Sequence, residues 1–170
     1  MVDESLKKNF GCDIKTAYGI LNDGFRQLDM CYITDDKYVD LTCKSIKSLC
    51  YSVNDNTQYK VHVICDRVSD GNKALLRSNK RSNVSIELMD FDSTKYIPEA
   101  LLKNRGDKIT HVSNAALIKF NLCRIFSDLD RILYVDGDIV FVGDPVKICN
   151  YDLRDNYLAA CLDDFAFDSK

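Results

Sequence analysis

The chain has 170 residues, 46% of them hydrophobic and 29% charged, with a formal net charge of −3. That is one domain's worth of ordinary globular composition, and the acidic balance excludes a general nucleic-acid binder, which carries a basic stripe. No apolar run reaches the roughly 18 residues that a membrane-spanning helix needs.

Residues 1–28 are expected to form an N-terminal helical extension. Ile14, Tyr18 and Leu21 have helical spacing, and Asn22-Asp23-Gly24 reads as a stop. The opening MVDESLKKNFGCD is too polar for a signal peptide. The first strand is Met30 to Thr34, ending on Asp35-Asp36. Val39, Cys43, Ile46 and Leu49 then recur at helical spacing, with Lys44 and Lys47 on the other side. Tyr59 to Cys65 is the second strand. Ser69 is expected to cap a helix containing Ala74, Leu75 and Leu76, and Val84 to Met89 alternates as a third strand. His62, inside the second strand, reads as a structural histidine. The order βαβαβ points to an α/β fold, a mostly parallel sheet flanked by helices.

Pro98 suits the first turn of a short helix through Leu102. Ser113 precedes Ala115, Ile118, Leu122, Ile125 and Phe126, the apolar face of a further helix. A last strand is expected at Tyr157 to Leu162, ending on Asp163-Asp164. The eight cysteines include no C-x-x-C pair, and Cys31 and Cys65 lie inside apolar runs. They read as reduced core residues of a cytoplasmic protein rather than a disulfide frame or a zinc site.

The most informative stretch is RILYVDGDIVFVG, residues 131–143. Ile132 to Val135 is a buried-strand pattern that stops on Asp136-Gly137-Asp138, after which Ile139 to Val142 opens a second apolar run. Two carboxylates at a strand end need a cation between them, and such oxygen ligands suit Mg²⁺, Mn²⁺ or Ca²⁺. A solvated hairpin turn would show the same tripeptide. An EF-hand is excluded, because Val140 and Phe141 stand where its oxygen ligand and glycine belong. Asp35-Asp36 and Asp163-Asp164 also end apolar strands, so a parallel sheet would gather acidic groups on one edge. Neither GxGxxG nor GxxxxGK[ST] occurs, so a diphosphate would need a metal to neutralise it.

These segments resemble glycosyltransferase family 8, retaining enzymes of the GT-A fold that include lipopolysaccharide galactosyl- and glucosyltransferases. The resemblance rests on CYITDDKY (31–38), HVSNAALIKF (111–120), ILYVDGDIVFVGDP (132–145) and DLRDNYLAACLDDF (152–165). It implies a GT-A nucleotide-sugar-binding domain over residues 29–170 that transfers a hexose from a UDP-sugar to a saccharide acceptor. By that resemblance Asp35 accepts a hydrogen bond from uracil, Tyr38 stacks on it, and Ile33 and Thr34 offer backbone contacts. Asp136 and Asp138 would hold Mn²⁺ (or Mg²⁺) at the diphosphate, with Asp136 and Gly137 also near the nucleotide. Asp163 would touch donor sugar or acceptor, and His111 would lie on the acceptor side. Lys119 stands where the family commonly has an arginine at the donor; lysine keeps the charge but not the bidentate fork.

The family also has a further portion with a histidine metal ligand in a His-x-x-x-x-Lys-Pro-Trp-like segment. The domain is therefore expected to be incomplete at its C-terminus, to bind UDP, and to transfer sugar poorly alone. An exposed C-terminal face would favour self-association, and peripheral membrane contact is compatible with it. Two alternatives compete: a haloacid-dehalogenase-like phosphatase using Asp136 as nucleophile, and a non-catalytic nucleotide- or partner-binding remnant.

Overall fold

The computed structural model describes residues 26–96, 117–150 and 152–160. The expected helices near residues 14–21 and 98–102 lie outside them, as do His111 and Asp163. The described residues up to Cys149 belong to one compact unit, and those from Asn150 onward belong to a second.

The first unit is a four-stranded sheet, wholly parallel, in the order β3-β2-β1-β4. β1 is Arg26–Asp35, β2 Thr57–Asp66, β3 Val84–Phe91 and β4 Leu133–Val135. Helix α1 (Val39–Ser52) joins β1 to β2, and α2 (Asp70–Ser78) joins β2 to β3. β1 and β2 pair from Arg26↔Thr57 to Asp35↔Asp66. The strand therefore starts before the apolar run, and Arg26 to Leu28 belong to the sheet rather than to a helical extension. A ladder bonds main-chain groups whatever the side chain, which is why polar Arg26, Gln27 and Asp35 are carried along.

Alternation along the strands divides the core between two faces. Leu28, Met30 and Tyr32 of β1 and Tyr59, Val61 and Val63 of β2 pack with Val39, Ile46 and Leu49 of α1 and Leu76 of α2. On the other face, Cys31 and Ile64 pack with Ile118, Leu122 and Phe126. The i, i+4, i+8 spacing of those last three is the pattern expected of a helix. Locally the helix is uneven, with a 3₁₀ turn at Lys119–Asn121 before α3 (Leu122–Ile125). Asn121, at φ −104° and ψ 1°, marks the join.

His62 is structural, as expected. It is 5% exposed, its Nε2 lies 2.8 Å from Asp29 Oδ1, and its ring stacks at a tilt 5.0 Å from Phe126. Cys31, Cys43, Cys50, Cys65 and Cys123 are free thiols. Burial pushes the Cys65 thiol up to about 11. No helix among the described residues is long and apolar enough to cross a membrane.

Two local expectations are corrected, at Ser69 and at Tyr157 to Leu162, and the apolar run after the acidic turn takes an irregular course. Ser69 occupies the N-cap position of α2 without capping it; its hydroxyl donates instead to Asp36 Oδ1 at 3.0 Å. The run Ile139 to Val142 adopts no regular structure and leaves Val142 fully in solvent. It is held along α1 by side chains: the Phe141 amide donates to Ser48 Oγ (2.9 Å) and the Phe141 carbonyl accepts from Ser52 Oγ (2.8 Å). The expected strand at Tyr157 to Leu162 is absent over its described part, 157–160, where Tyr157 and Leu158 are exposed. An apolar run becomes a strand only when a neighbouring strand takes up its amides and carbonyls, and residues 157–160 have no ladder partner among the described residues.

Candidate functional site

β1 continues through α1 to β2 on one side, while β4 lies against its other side. The strand order thus reverses between β1 and β4. In open parallel sheets the crevice beyond the carboxyl ends at such a reversal is where ligands bind. Both acidic motifs sit there: Asp35 ends β1, and Asp136-Gly137-Asp138 follows β4. The register Tyr32↔Val135 puts Asp136 opposite Ile33 and Asp35 two residues further along. One strand spacing across and two residues along separate the Asp35 and Asp136 Cα atoms by about 8 Å.

The neighbouring aspartates at the end of β1 have different jobs. Asp35 Oδ1 accepts the amides of Lys37 (3.0 Å) and Tyr38 (3.2 Å), turning the chain into α1. Asp36 accepts the Ser69 amide (2.8 Å), the Ser69 hydroxyl and the Asn72 side-chain amide (2.8 Å), fastening the turn to the start of α2. The Ser69 backbone bond, then that of Asn72, holds its carboxyl below the usual carboxylate range. Tyr38, at the head of α1, keeps 46% of its surface exposed, so part of its side chain is open to a ligand. Thr34 is buried, its hydroxyl bonded to the Asp35 carbonyl. Ile33 packs into the second core face.

The Asp-Gly-Asp turn is seated against α1 through one small gap. A Cβ on Gly137 would stand 2.6 Å from Thr42 Oγ1. Thr42 is fully buried, and its hydroxyl donates to Thr34 Oγ1 (3.0 Å) or the Tyr38 carbonyl (3.1 Å). One threonine thus touches the strand end, the helix head and the acidic turn. On the far side, the Tyr134 phenol donates to Asp136 Oδ1 at 2.6 Å. Burial, then the Asp136 carboxylate, pushes that phenol above the usual tyrosine range, so it stays a donor.

The next segment is fixed by Asp144, whose Oδ1 accepts the Tyr59 hydroxyl (2.6 Å) and the Val146 amide (2.9 Å). Its Oδ2 accepts the Asn54 amide (3.2 Å), and the Asn54 side chain also contacts it. Asp144 therefore anchors the fold rather than the site, and Pro145–Asn150 follows as a 3₁₀ helix. Thr42, Tyr134 and Asp144 escaped sequence reasoning. The i, i+2 spacing of Tyr134 in β4 and Asp136 just beyond it was the available signal for the second; the contacts of Thr42 with Gly137 and of Asp144 with Tyr59 are too distant in sequence to leave one.

Lys119 is exposed in the 3₁₀ turn, its ammonium 5.9 Å from the Phe120 ring centroid, and it forms no ion pair among the described residues. A hollow of about 350 Å³ lies at the carboxyl ends of β2 and β3, away from the acidic turn. Its cations are already matched, Lys73 to Asp90 (2.5 Å), Lys95 to Asp92 (3.5 Å) and Arg67 to Asp66 (3.5 Å).

Among the described residues no group of three or more His, Cys, Asp or Glu side chains is placed to hold a metal. The donor set at the turn is the pair Asp136 and Asp138, both exposed, on either side of Gly137. Two hard oxygen donors fit a divalent ion that takes its other ligands from substrate phosphates and water, as Mg²⁺ does.

Residues 29–170 match the family described as Glycosyl transferase family 8. A putative glycosyltransferase of Haemophilus influenzae is 23% identical over 142 residues, 81% of this chain and 40% of that protein. Glycosyltransferase GlyE of Streptococcus pneumoniae is 28% identical over 71 residues, 42% of this chain and 17% of that protein. The galactosyltransferase LgtC, crystallised with donor and acceptor sugar analogs, aligns with TM-score 0.69 and 26% identity over 82% of this chain and 48% of that one. The bifunctional glycosyltransferase WbbM shares the fold at TM-score 0.58 and 21% identity, over 81% of this chain and 23% of that one. The chain thus spans less than half the length of these relatives.

Proposed function

The chain belongs to glycosyltransferase family 8, and from that premise we propose that it is the nucleotide-sugar-binding portion of a hexosyltransferase using a UDP-sugar. The haloacid-dehalogenase alternative falls with the family match, which covers both acidic motifs. The observation that carries the reading is the adjacency of β1 and β4, which brings Asp35 and Tyr38 to the same sheet edge as Asp136 and Asp138.

In this reading Tyr38 stacks on uracil and Asp35 accepts its ring N–H. Main-chain groups of Ile33 and Thr34 line the base, and Gly137 lets the diphosphate approach closely. Asp136 and Asp138 hold Mn²⁺ or Mg²⁺, which when bound supplies Lewis-acid neutralisation of charge on the departing UDP. Lys119 contributes positive charge toward the donor, while Asp163 and His111 serve the sugar and acceptor side. Transfer proceeds to a saccharide acceptor with retention, in cell-surface glycan or lipopolysaccharide synthesis on the cytoplasmic side.

Nucleotide binding asks only for the base turn and the acidic pair, whereas transfer asks for an acceptor held in line and water kept out. This chain is therefore expected to bind UDP with Mn²⁺ and to transfer sugar slowly, compared with a longer form of the protein. Calorimetric titration of UDP, GDP and their sugars, each with and without Mn²⁺, tests it. Binding of UDP over GDP that depends on Mn²⁺ supports the reading; no UDP binding in the presence of Mn²⁺ overturns it. Turnover equal to that of a longer form would overturn the half-site account. Mn²⁺-dependent binding with no turnover in either form would favour a non-catalytic binding module.

A further inference from the structure

We propose that Tyr134 is a positioning residue that fixes the Asp136 carboxylate, so that Oδ2 is the oxygen presented to a divalent cation. This rests on the reading of Asp136 and Asp138 as the cation-holding pair.

A carboxylate on an exposed turn swivels freely, because its last torsion has only a broad, two-fold preference. Asp136 is on such a turn, yet its Oδ1 is taken by a phenol at 2.6 Å, a short charge-assisted bond. The arm that makes this bond is rigid. Tyr134 is paired to Cys31 in the β1–β4 ladder, and its ring packs with the second core face. Asp136 is the first residue past β4 and keeps the i, i+2 relation to Tyr134, so the phenol runs along the strand end to reach it. The bond joins a half-buried hydroxyl to an exposed carboxylate that water would solvate equally well. Its contribution to folding is therefore small. Its effect on which oxygen faces outward is not, and outer partners of this kind tune metal affinity about 10- to 100-fold.

The test is Mn²⁺ binding to the whole chain, in the presence of UDP, followed by electron paramagnetic resonance. Tyr134→Phe should bind Mn²⁺ about 10- to 100-fold more weakly and melt at the parent's temperature without metal. Tyr134→Met, which also keeps a long apolar side chain and removes the hydroxyl, should weaken Mn²⁺ binding to the same extent while remaining folded. Binding as tight as the parent's, or tighter, in a folded variant overturns the proposal alone. A parent that takes up no Mn²⁺ removes the cation-pair reading and the proposal with it. In the unaltered chain, Mg²⁺ should move the carbon NMR signals of the Tyr134 Cζ and the Asp136 carboxyl together. A stationary Tyr134 beside a moving Asp136 overturns the proposal even if neither variant folds.

Discussion

Replacing Gly137 with alanine should test how the acidic turn is seated. The new Cβ would stand 2.6 Å from Thr42 Oγ1, closer than such atoms approach, although Thr42 Cβ (3.6 Å) and Cα (3.7 Å) would be in ordinary contact. Either the turn moves outward or Thr42 turns about χ1. Turning forfeits the contacts of its hydroxyl with Thr34 and the Tyr38 carbonyl, in a place where Thr42 is fully buried. The hydroxyl has one proton and makes one of these bonds at a time, and leaving it unsatisfied in that buried place costs about 1–3 kcal/mol. Against that, alanine reduces unfolded-chain entropy, which returns about 0.4–1 kcal/mol. The net cost of about 1–2 kcal/mol should lower the melting temperature by roughly 2–8 °C for a chain of this size. The decisive comparison is a double-mutant cycle in urea unfolding. In a Thr42→Ala background the offending oxygen is gone, so Gly137→Ala should cost nearly nothing, a coupling of about 1–2 kcal/mol. Equal costs in the two backgrounds would refute the seating argument.

The remaining predictions concern the site and its supports. Asp136→Ala and Asp138→Ala should each abolish Mn²⁺-dependent UDP binding by calorimetry while leaving the circular dichroism spectrum intact; parent-like binding in either would sink the metal assignment. Tyr38→Ala should weaken UDP binding by about 1–3 kcal/mol if the ring stacks on uracil, and Asp35→Asn should relax the preference for UDP over GDP, both read in the same titration. Asp144→Ala should cost about 1–3 kcal/mol in urea unfolding, because a half-buried anchor for Tyr59 and the Asn54 turn is lost. Asp36 is held below its ordinary value of 3.8 in the folded state. Its contribution to stability is therefore present above that value and lost as pH falls through the lowered one. Asp36→Ala should melt below the parent at neutral pH and converge with it under acid conditions; a pH-independent gap would assign its role to packing.

The strands of the sheet were legible because β-branched and aromatic runs such as Tyr59 to Cys65 are dictated by burial on both faces. Helix α1 was legible because Val39, Ile46 and Leu49 line one side. What the sequence hid was set by partners far along the chain. Ser69 looks like a cap, but Asp36, from the turn after β1, takes its hydroxyl. Ile139 to Val142 looks like a strand's worth of apolar residues, but Ser48 and Ser52 hold it as an irregular segment. Asp144 looks like the start of a turn, and Tyr59 makes it an anchor. The acidic pair was readable as a candidate site from its place at a strand end. Its support by Thr42 and Tyr134 depended on packing that no local pattern encodes.

β1 is bonded to β2 over ten residue pairs and flanked by β4, whereas β4 is bonded to the sheet over three. The two halves of the candidate site therefore differ in how firmly the main chain holds them. Opening β4 breaks few ladder bonds, so its amides should exchange with solvent deuterium well before those of Met30 to Ile33. A ligand that spans both halves would then slow exchange chiefly at Leu133 to Asp138. The base would meet a finished surface, and the diphosphate would tighten one that breathes.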